Sequence, residues 1–506
     1  MKKFLALYFL LCSFFGLKAQ DSVFYQKFFP DPLYPMPVPI TKGDKSFNYY
    51  TQYKDVVQFI KNQAARFPDL IKIGSIGETQ RGREQISVLL TNQKSTNTDK
   101  LRVTIIGCVH GNEPISTEGM MFLIYRLTQE TQYAHLLDHL EILVLPDVNA
   151  DGRESDKRTS SNGIDLNRDL TSLDAPESRN IKTAINKFDP QVVLDFHEFN
   201  PHRSDFKELS DCYSIGYDAM FLYTGNLNVD PAIRKMIAED FIVPTKSYLT
   251  QNQREVSDYA TTRRSGKEIL LNMGGTASRS SATNYALQNR ISLLMEIRGV
   301  TEGNKSVKRR IETSFLCATS YLRITDSLRN QIRATIDEAN KRSINGSRKI
   351  IVTSNPTMKE MPFLFVDECT KTHKAIDFRT YDNGDQKPVI TRERPAAYLI
   401  FPCSDKVKTV LTISGVLFKE ITNQQEMEVL TYKKNSKGSF NLEKTKTEVP
   451  KGAVLIDAFQ PMGNTLSDLI EPEGGNSIYT NGQIKILSKT ETLPIYRISR
   501  EQLSKL

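Results

Sequence analysis

We predict a mixed α/β fold, in which a mostly parallel, twisted sheet carries helices on both faces, followed by a C-terminal all-β, sandwich-like domain. Two features of the 506-residue chain lead to this expectation. Apolar, strand-like runs alternate with amphipathic, helix-like stretches up to about residue 343, a pattern typical of layered α/β domains whose sheet is buried. After residues 344–349, short β-rich runs bounded by Asn, Gly and Pro replace that pattern.

The first domain, predicted over residues 48–343, begins with a helix that Phe67 and Pro68 bring to an end. A second helix is expected over 115–130, where apolar residues mark one face. The stretch 306–343 indicates one long helix or two shorter helices that close the domain. The strand-like runs are 84–91, 102–108, 140–146, 192–196 and 291–297.

The second domain, predicted over residues 350–506, is expected to be a β-rich accessory domain. It contains about seven short strand-like runs separated by turn signals, which is typical of a sandwich. These runs are 349–354, 388–393, 396–401, 408–418, 426–432, 452–459 and 483–488. Such a domain could brace the first domain, bind a surface polymer or shape the cleft.

The amino terminus has the pattern of a bacterial-type secretory signal peptide over residues 1–19. Two lysines precede an apolar run of about a dozen residues, and small residues near Ala19 offer a cleavage site. The apolar run is shorter than the ~20 residues that a membrane-spanning helix needs. We therefore expect an exported protein, periplasmic or secreted, with no membrane span after signal removal. The proline-rich residues 20–47 are predicted to be an extended lead-in.

Charge and cysteine content exclude several classes of protein. Removing residues 1–19 deletes three lysines and no acid, so the formal charge falls from +8 to +5, too dilute for nucleic-acid binding. The five remaining cysteines contain no CxxC pair and do not have the spacing of a cysteine scaffold. A bridge between Cys369 and Cys403 is one possibility. No oligomeric state follows from the sequence.

Polar residues follow the carboxyl ends of four predicted strands. His110 and Glu113 follow the run 102–108, while His197 and Glu296 lie at the ends of two later runs; Asn149 and Asp151 follow the fourth. Open α/β sheets place their functional sites at this edge. A lone histidine there is more often structural, but two histidines with a carboxylate nearby favour a metal site.

The chemistry of these side chains favours one zinc ion. Two imidazoles and one carboxylate leave a fourth coordination position open, as in catalytic zinc sites. Each imidazole needs a partner that holds it in one tautomer, and Asp165 is the candidate for His110. Asn167 and Arg168 follow directly, and a guanidinium beside a carboxamide is suited to binding a carboxylate.

Five motifs in register then indicate a family. "HGNE", "NADGR", "RTSSNGIDLNRD", "LDFHEF" and "LLMEIRG", in this order, resemble the zinc carboxypeptidases of the carboxypeptidase A type, the M14 or funnelin family. The stretch "GETQRGREQI" at 77–86 also resembles the turn in that family's opening strand pair, "GxTxxGRxI". The resemblance covers roughly residues 48–340 and implies the same α/β fold.

The resemblance implies roles for individual residues. His110, Glu113 and His197 would bind zinc, and Glu296 would be the general base that takes a proton from water and returns it to the leaving amine. Asp165 matches the aspartate behind the first histidine. Arg158 matches the family's arginine that stabilises the oxyanion. Asn167 and Arg168 match the pair that binds the terminal carboxylate of the substrate. Tyr285, or alternatively Tyr259, matches a tyrosine that covers the substrate.

Our first hypothesis is therefore an exported zinc carboxypeptidase that hydrolyses C-terminal peptide bonds. A zinc amidase or carboxypeptidase acting on peptidoglycan stem peptides is an alternative, and a non-catalytic binding protein on a peptidase fold is another. The chain departs from the family at Ala150, at Asp169 and at Glu198, where a carboxylate follows the third ligand. These departures leave the side-chain specificity open.

Overall fold

The computed structural model describes residues 23–33, 36, 51–346, 349–488 and 490–505. The predicted signal peptide lies outside these residues, and so does most of the lead-in. Within the lead-in, residues 23–28 form a helix, so the expectation of an extended segment is wrong there. Phe24 and Phe29 are buried against Val366, which explains why this short segment is helical and attached to the second half of the chain.

The strands are numbered in chain order. They are β1 Ile71–Glu78, β2 Glu84–Leu90, β3 Leu101–Gly107, β4 Leu140–Leu145, β5 Val192–Phe199, β6 Tyr213–Ile215, β7 Ala219–Leu222, β8 Val256–Asp258, β9 Ala260–Ser265, β10 Glu268–Met273, β11 Ile291–Arg298, β12 Ile350–Asp367, β13 Thr372–Arg392, β14 Ala397–Ile400, β15 Lys419–Glu420, β16 Gln425–Lys434, β17 Phe440–Val449, β18 Val454–Asp457 and β19 Thr492–Ile498.

The helices connect these strands or cover their faces. The α-helices are Tyr53–Arg66, Ile115–Gln129, Ala134–His139, Ala150–Glu154, Pro176–Phe188, Pro231–Met236, Val243–Gln251, Ser281–Asn284, Val307–Ser327, Arg329–Asn345, Asp405–Ile413, Gly463–Ile470 and Arg500–Leu503. A π-helix spans Ile237–Ile242, and 3₁₀ turns span Thr131–Tyr133, Leu166–Arg168, Phe206–Glu208 and Ala286–Gln288.

The central sheet has eight strands in the order β1-β2-β4-β3-β5-β11-β7-β8. Its middle four strands, β4, β3, β5 and β11, are parallel, and antiparallel pairs join the outer strands to them. Every residue of β5 and β11 is buried, as expected for strands covered on both faces. This confirms the predicted α/β class, and the five predicted strand runs correspond to β2, β3, β4, β5 and β11.

Helices pack on both faces of this sheet. On one face, Val103 and Ile105 of β3 belong to the same apolar cluster as helices Ile115–Gln129 and Val307–Ser327. On the other face, Ile106 packs with helix Pro176–Phe188. The alternation of side chains along β3 therefore supplies both layers. The predicted helical stretch 306–343 is two helices, which meet at Leu328.

The second half of the chain forms two further sheets. The long strands β12 and β13 are paired as a hairpin and join β6, β10 and β9 in a five-stranded sheet, so residues 350–392 complete a wall of the first domain. The other six strands form an antiparallel sheet, as predicted for a C-terminal β-domain, ordered β15-β18-β14-β19-β16-β17.

The C-terminal sheet also carries helices, and one of them replaces a predicted strand. The strand expected over 408–418 is wrong, because residues Asp405–Ile413 are helical. The Ser404 side chain accepts a hydrogen bond from the Val407 N–H and caps this helix. Val407, Val410 and Leu411 lie at helical spacing and are buried. The packing of this apolar face therefore outweighs the preference of β-branched residues for strands.

One disulfide links the two halves of the chain. It joins Cys212 to Cys369, with Cα atoms 5.6 Å apart, so the suggested pairing of Cys369 with Cys403 is wrong. Cys403 is a free, half-buried cysteine. Within the residues described, none of the helices has both the length and the apolar character to cross a membrane.

Candidate metal centre and cleft

The loop after β3 carries the first two candidate ligands. Gly111 lies between them, and a Cβ atom at this position would be 2.1 Å from the backbone carbon of Gly152. Only glycine therefore allows the loop to pack this closely against the chain after Asn149. The Asn149 side chain donates to the carbonyl oxygen of Val109 at 3.1 Å and holds the loop from the other side.

His110, Glu113 and His197 converge on one point. His110 Nδ1 lies 2.8 Å from Glu113 Oε1, and His197 Nδ1 lies 2.9 Å from Glu113 Oε2. The two Nδ1 atoms are 3.0 Å apart. All three side chains are buried, because they lie where the ends of β3 and β5 meet beneath the loop.

A carboxylate holds the opposite nitrogen of each imidazole. His110 Nε2 lies 3.0 Å from Asp165 Oδ1, the partner expected from the sequence. His197 Nε2 lies 3.0 Å from Asp195 Oδ2, a partner that the sequence analysis missed. Asp195 precedes His197 by two residues in β5, so both side chains point to the same face, and this spacing was the available signal.

These contacts make a cation the natural occupant of the site. When each Nε2–H donates to its aspartate, each Nδ1 is left as an acceptor. Two such nitrogens and the Glu113 carboxylate then face one another as acceptors. Burial raises the pKa of Glu113, but His110 and His197 outweigh burial and hold the pKa well below its usual range. Two imidazoles and a carboxylate are a donor set that fits Zn²⁺ with an open coordination position.

Glu296 lies beside this cluster. In the parallel pairing of β11 with β5, Glu296 is the register partner of His197. Its side chain is 8% exposed and lines the cleft, and its carboxylate forms no hydrogen bond with any of the residues described. Burial and the nearby Glu113 carboxylate raise the pKa of Glu296 to about 7. A carboxyl group in this setting is suited to taking up and releasing a proton.

Arg158 connects the cluster to the cleft. Its Nε donates to Asp165 Oδ2 at 3.0 Å, and its Nη1 lies 3.3 Å from Glu113 Oε1. Burial lowers the pKa of Arg158, but Asp165 and Glu113 outweigh burial and raise it. The side chain is 44% exposed, so this charged guanidinium also faces the cleft.

The cleft has a volume of about 270 Å³ and opens over the cluster. Asn167 is buried in its wall, where its Oδ1 accepts a hydrogen bond from the Ser281 N–H at 3.1 Å. Arg168 is exposed in the cleft, and its Nη1 donates to the Asn167 carbonyl oxygen at 2.8 Å. Other lining residues are Phe199, Leu222, Tyr259, Thr261, Asn272, Gly274, Gly275, Ala277, Arg279, Ser280, Ala282 and Thr283.

The structure corrects the choice of Tyr285. Its side chain is fully buried, packs with Ile106 and Val193 between the sheet and helix Pro176–Phe188, and does not line the cleft. Tyr259, the other option considered, lies between β8 and β9 and does line the cleft. Tyr285 directly follows the short helix Ser281–Asn284, and the direction of this helix places the tyrosine side chain in the core. The sequence does not predict that direction.

Glu198 has a structural partner. Its Oε2 lies 2.7 Å from the Arg310 guanidinium, and its Oε1 accepts a hydrogen bond from the Ile115 N–H at 2.7 Å. The carboxylate therefore anchors the first turn of helix Ile115–Gln129 to helix Val307–Ser327. Its charge is balanced by Arg310, so it does not act as a free negative charge beside the histidines.

The chain is similar to several known carboxypeptidases. The sequence model of a family described as zinc carboxypeptidase matches residues 56–191, a range that ends before His197 and Glu296. Carboxypeptidase 2 of Trichophyton rubrum is 26% identical over 431 residues, which cover 82% of this chain and 79% of that protein. Carboxypeptidase D of Mus musculus is 25% identical over 173 residues, 31% of this chain and 13% of that protein. The structure of carboxypeptidase A from Helicoverpa armigera superposes with a TM-score of 0.43 and 16% identity, covering 62% of this chain and 81% of that chain.

Proposed function

Since this chain belongs to the zinc carboxypeptidase family and is a metallocarboxypeptidase, we propose that it is exported and releases C-terminal residues from peptides by means of a glutamate general base. One observation carries the proposed mechanism. Three buried acceptors converge in the cleft, and the Glu296 carboxylate lies beside them without a hydrogen bond to a described residue. A water molecule placed between them would have both an activating site and a proton acceptor.

His110, Glu113 and His197 would hold the zinc ion, with Asp165 and Asp195 fixing the two imidazoles. When bound, zinc polarises a carbonyl group and lowers the pKa of water. Glu296 takes a proton from the attacking water and later hands that proton to the leaving amine.

The remaining side chains of the cleft would act on the substrate. Arg158 faces the cleft and donates hydrogen bonds to the oxygen of the scissile carbonyl group as negative charge develops there. Asn167 and Arg168 bind the terminal carboxylate, since a guanidinium and a carboxamide both offer N–H donors to a carboxylate. Tyr259 takes the covering position that we first expected for Tyr285.

Export is supported by two separate features. The residues before Gln20 have the composition of a secretory signal peptide. The Cys212–Cys369 disulfide joins distant parts of the chain, and such bridges persist in oxidising compartments.

The test is an assay of the purified protein on a C-terminal peptide library, with and without chelator. We expect chelator to stop the release of single C-terminal residues and added Zn²⁺ to restore it. Glu296→Gln should lose this activity while keeping bound zinc. Glu118→Gln is the matched control, because Glu118 is also a buried glutamate but lies outside the cleft. Bound zinc without hydrolysis of peptides or of peptidoglycan stem peptides would instead support a binding protein.

A further inference from the structure

Two guanidinium groups face the cleft without an acidic partner. Arg168 and Arg279 both line it, and neither forms an ion pair with an acidic side chain in the described part of the chain. Burial and the neighbouring charge of Arg168 lower the pKa of Arg279, and the Asp165 carboxylate offsets only part of this effect. Two like charges that share one wall repel each other in water-filled space, so an anion bound between them relieves an unfavourable interaction.

The acidic side chains that line the cleft lie at or beside the metal centre, or are paired with an arginine. Glu113 contacts both histidines, Glu198 is paired with Arg310, and Glu296 lies next to His197. These carboxylates belong to the part of the cleft that holds the metal centre. Besides these carboxylates, His110 and the three arginines, the residues that line the cleft have neutral side chains. Arg168 and Arg279 therefore place two positive charges in the cleft, close enough for the charge of one to act on the other.

The backbone on either side of Arg279 is firmly held. Ser278 donates its hydroxyl to Asp468, which comes from the C-terminal domain, and the Asn284 amide donates to the Ser278 carbonyl oxygen at 2.6 Å. Beyond Arg279, the Ser281 hydroxyl lies 2.5 Å from Asp195 Oδ2. An arginine on such a fixed segment loses less conformational freedom on binding a ligand than one on a free loop.

We propose that Arg279 binds the side-chain carboxylate of the substrate's last residue, so that the enzyme prefers peptides ending in Glu or Asp. This inference rests on the proposed function, in which Arg168 takes the terminal α-carboxylate. A C-terminal Glu or Asp carries two carboxylates on one residue, and the cleft offers two guanidiniums on one wall. Each pairing is a charge-assisted hydrogen bond of planar groups.

The same wall disfavours other substrates. A C-terminal Lys or Arg would bring a third positive charge next to Arg168 and Arg279, neither of which forms an ion pair with a described acidic side chain. Like charges placed together in a binding site select against the wrong partner. A C-terminal Gln keeps the size of Glu but removes its charge, so it isolates the contribution of Arg279.

The first experiment measures binding without turnover. Zinc-loaded Glu296→Gln protein is titrated calorimetrically with N-acetyl-Gly-Glu, N-acetyl-Gly-Gln and N-acetyl-Gly-Lys. We expect the Glu peptide to bind about tenfold more tightly than the Gln peptide, and the Lys peptide to bind most weakly. Adding Arg279→Gln should bring the Glu and Gln peptides to within about twofold of each other. Arg81→Gln is the control, an exposed arginine outside the cleft, and should keep the preference.

The outcomes separate this inference from the proposed function. Equal binding of the Glu and Gln peptides by the parent protein overturns the role of Arg279, whether or not the wild-type enzyme hydrolyses peptides. The same holds if Arg279→Gln weakens all three peptides equally. Hydrolysis of neutral C-terminal residues without a preference for Glu leaves the proposed function standing and refutes only the inference. The parent comparison needs no Arg279 variant, so it decides the matter even if that variant does not fold.

Discussion

Replacing Asp195 by Asn is expected to weaken zinc binding while preserving the fold. Asp195 Oδ2 lies 3.0 Å from His197 Nε2 and 2.5 Å from the Ser281 hydroxyl, and Asn can offer one oxygen to both donors. What Asn cannot supply is the negative charge that makes the imidazole a stronger ligand. In addition, Asp195 Oδ1 is buried without a hydrogen-bond partner in the described structure, so an amide group there would have unsatisfied N–H donors.

The size of the effect follows from burial. Removing a carboxylate that orients a ligating histidine costs 10- to 100-fold in metal affinity, which is about 1.4–2.7 kcal/mol. The Asp195 side chain is 1% exposed, so water screens its charge little, and we expect a loss near 100-fold. The Asp165 side chain is 23% exposed, so Asp165→Asn should cost nearer to tenfold.

The assay is competition for Zn²⁺ between each variant and a chromophoric chelator at fixed ionic strength. Circular dichroism of the metal-free proteins checks that both variants fold. Asp211→Asn, an exposed aspartate, provides the control for a change of net charge. Wild-type affinity in Asp195→Asn, or a larger loss in Asp165→Asn than in Asp195→Asn, would refute the reasoning from buried charge.

Three further predictions concern proton uptake and stability. Burial and Glu113 raise the pKa of Glu296 to about 7, and a bound cation lowers it. We therefore expect kcat/KM to fall on the acid side with a midpoint below about 7, because a protonated carboxyl group cannot act as the base. A profile without any acid limb below pH 7 would contradict Glu296 as base. Burial and the nearby charge of Arg290 lower the pKa of Lys182 from 10.5 to about 7. Between these two pH values the unfolded chain binds more protons than the folded protein, so the free energy of unfolding rises with pH. Urea unfolding of Lys182→Met should show a smaller rise with pH, and an unchanged rise would contradict this prediction. The disulfide joins residues with a sequence separation of 157. Replacing both Cys212 and Cys369 by Ser should therefore lower the free energy of unfolding by about 2–4 kcal/mol. An unchanged urea midpoint would argue against this prediction.

Much of the sheet and the core of the candidate site could be predicted from the sequence. Buried parallel strands have continuous apolar sequences, so β3, β5 and β11 can be predicted without knowing which strands lie beside them in the sheet. Because the carboxyl ends of such strands share one edge, side chains after different strands could be expected to meet there. His110, His197 and Glu296 do lie together at that edge.

Other features depended on contacts between distant segments. The helix Asp405–Ile413 contains a β-branched run that by itself predicts a strand, and only the packing of its buried face favours a helix. Cys212 and Cys369 are brought together by the pairing of β6 with β12. No local pattern in the chain encodes such a pairing.

The division between the two kinds of information follows from the range of the forces involved. Strand runs and candidate ligands at strand ends are local properties, so the amino-acid order alone determined them for this protein. The cleft wall with Tyr259 and Arg279, the burial of Tyr285 and the anchoring of Ser278 by Asp468 arise where separate segments pack together. Such packing depends on the shape and charge of surfaces that exist only after the chain has folded, and for that reason only the tertiary structure decided them.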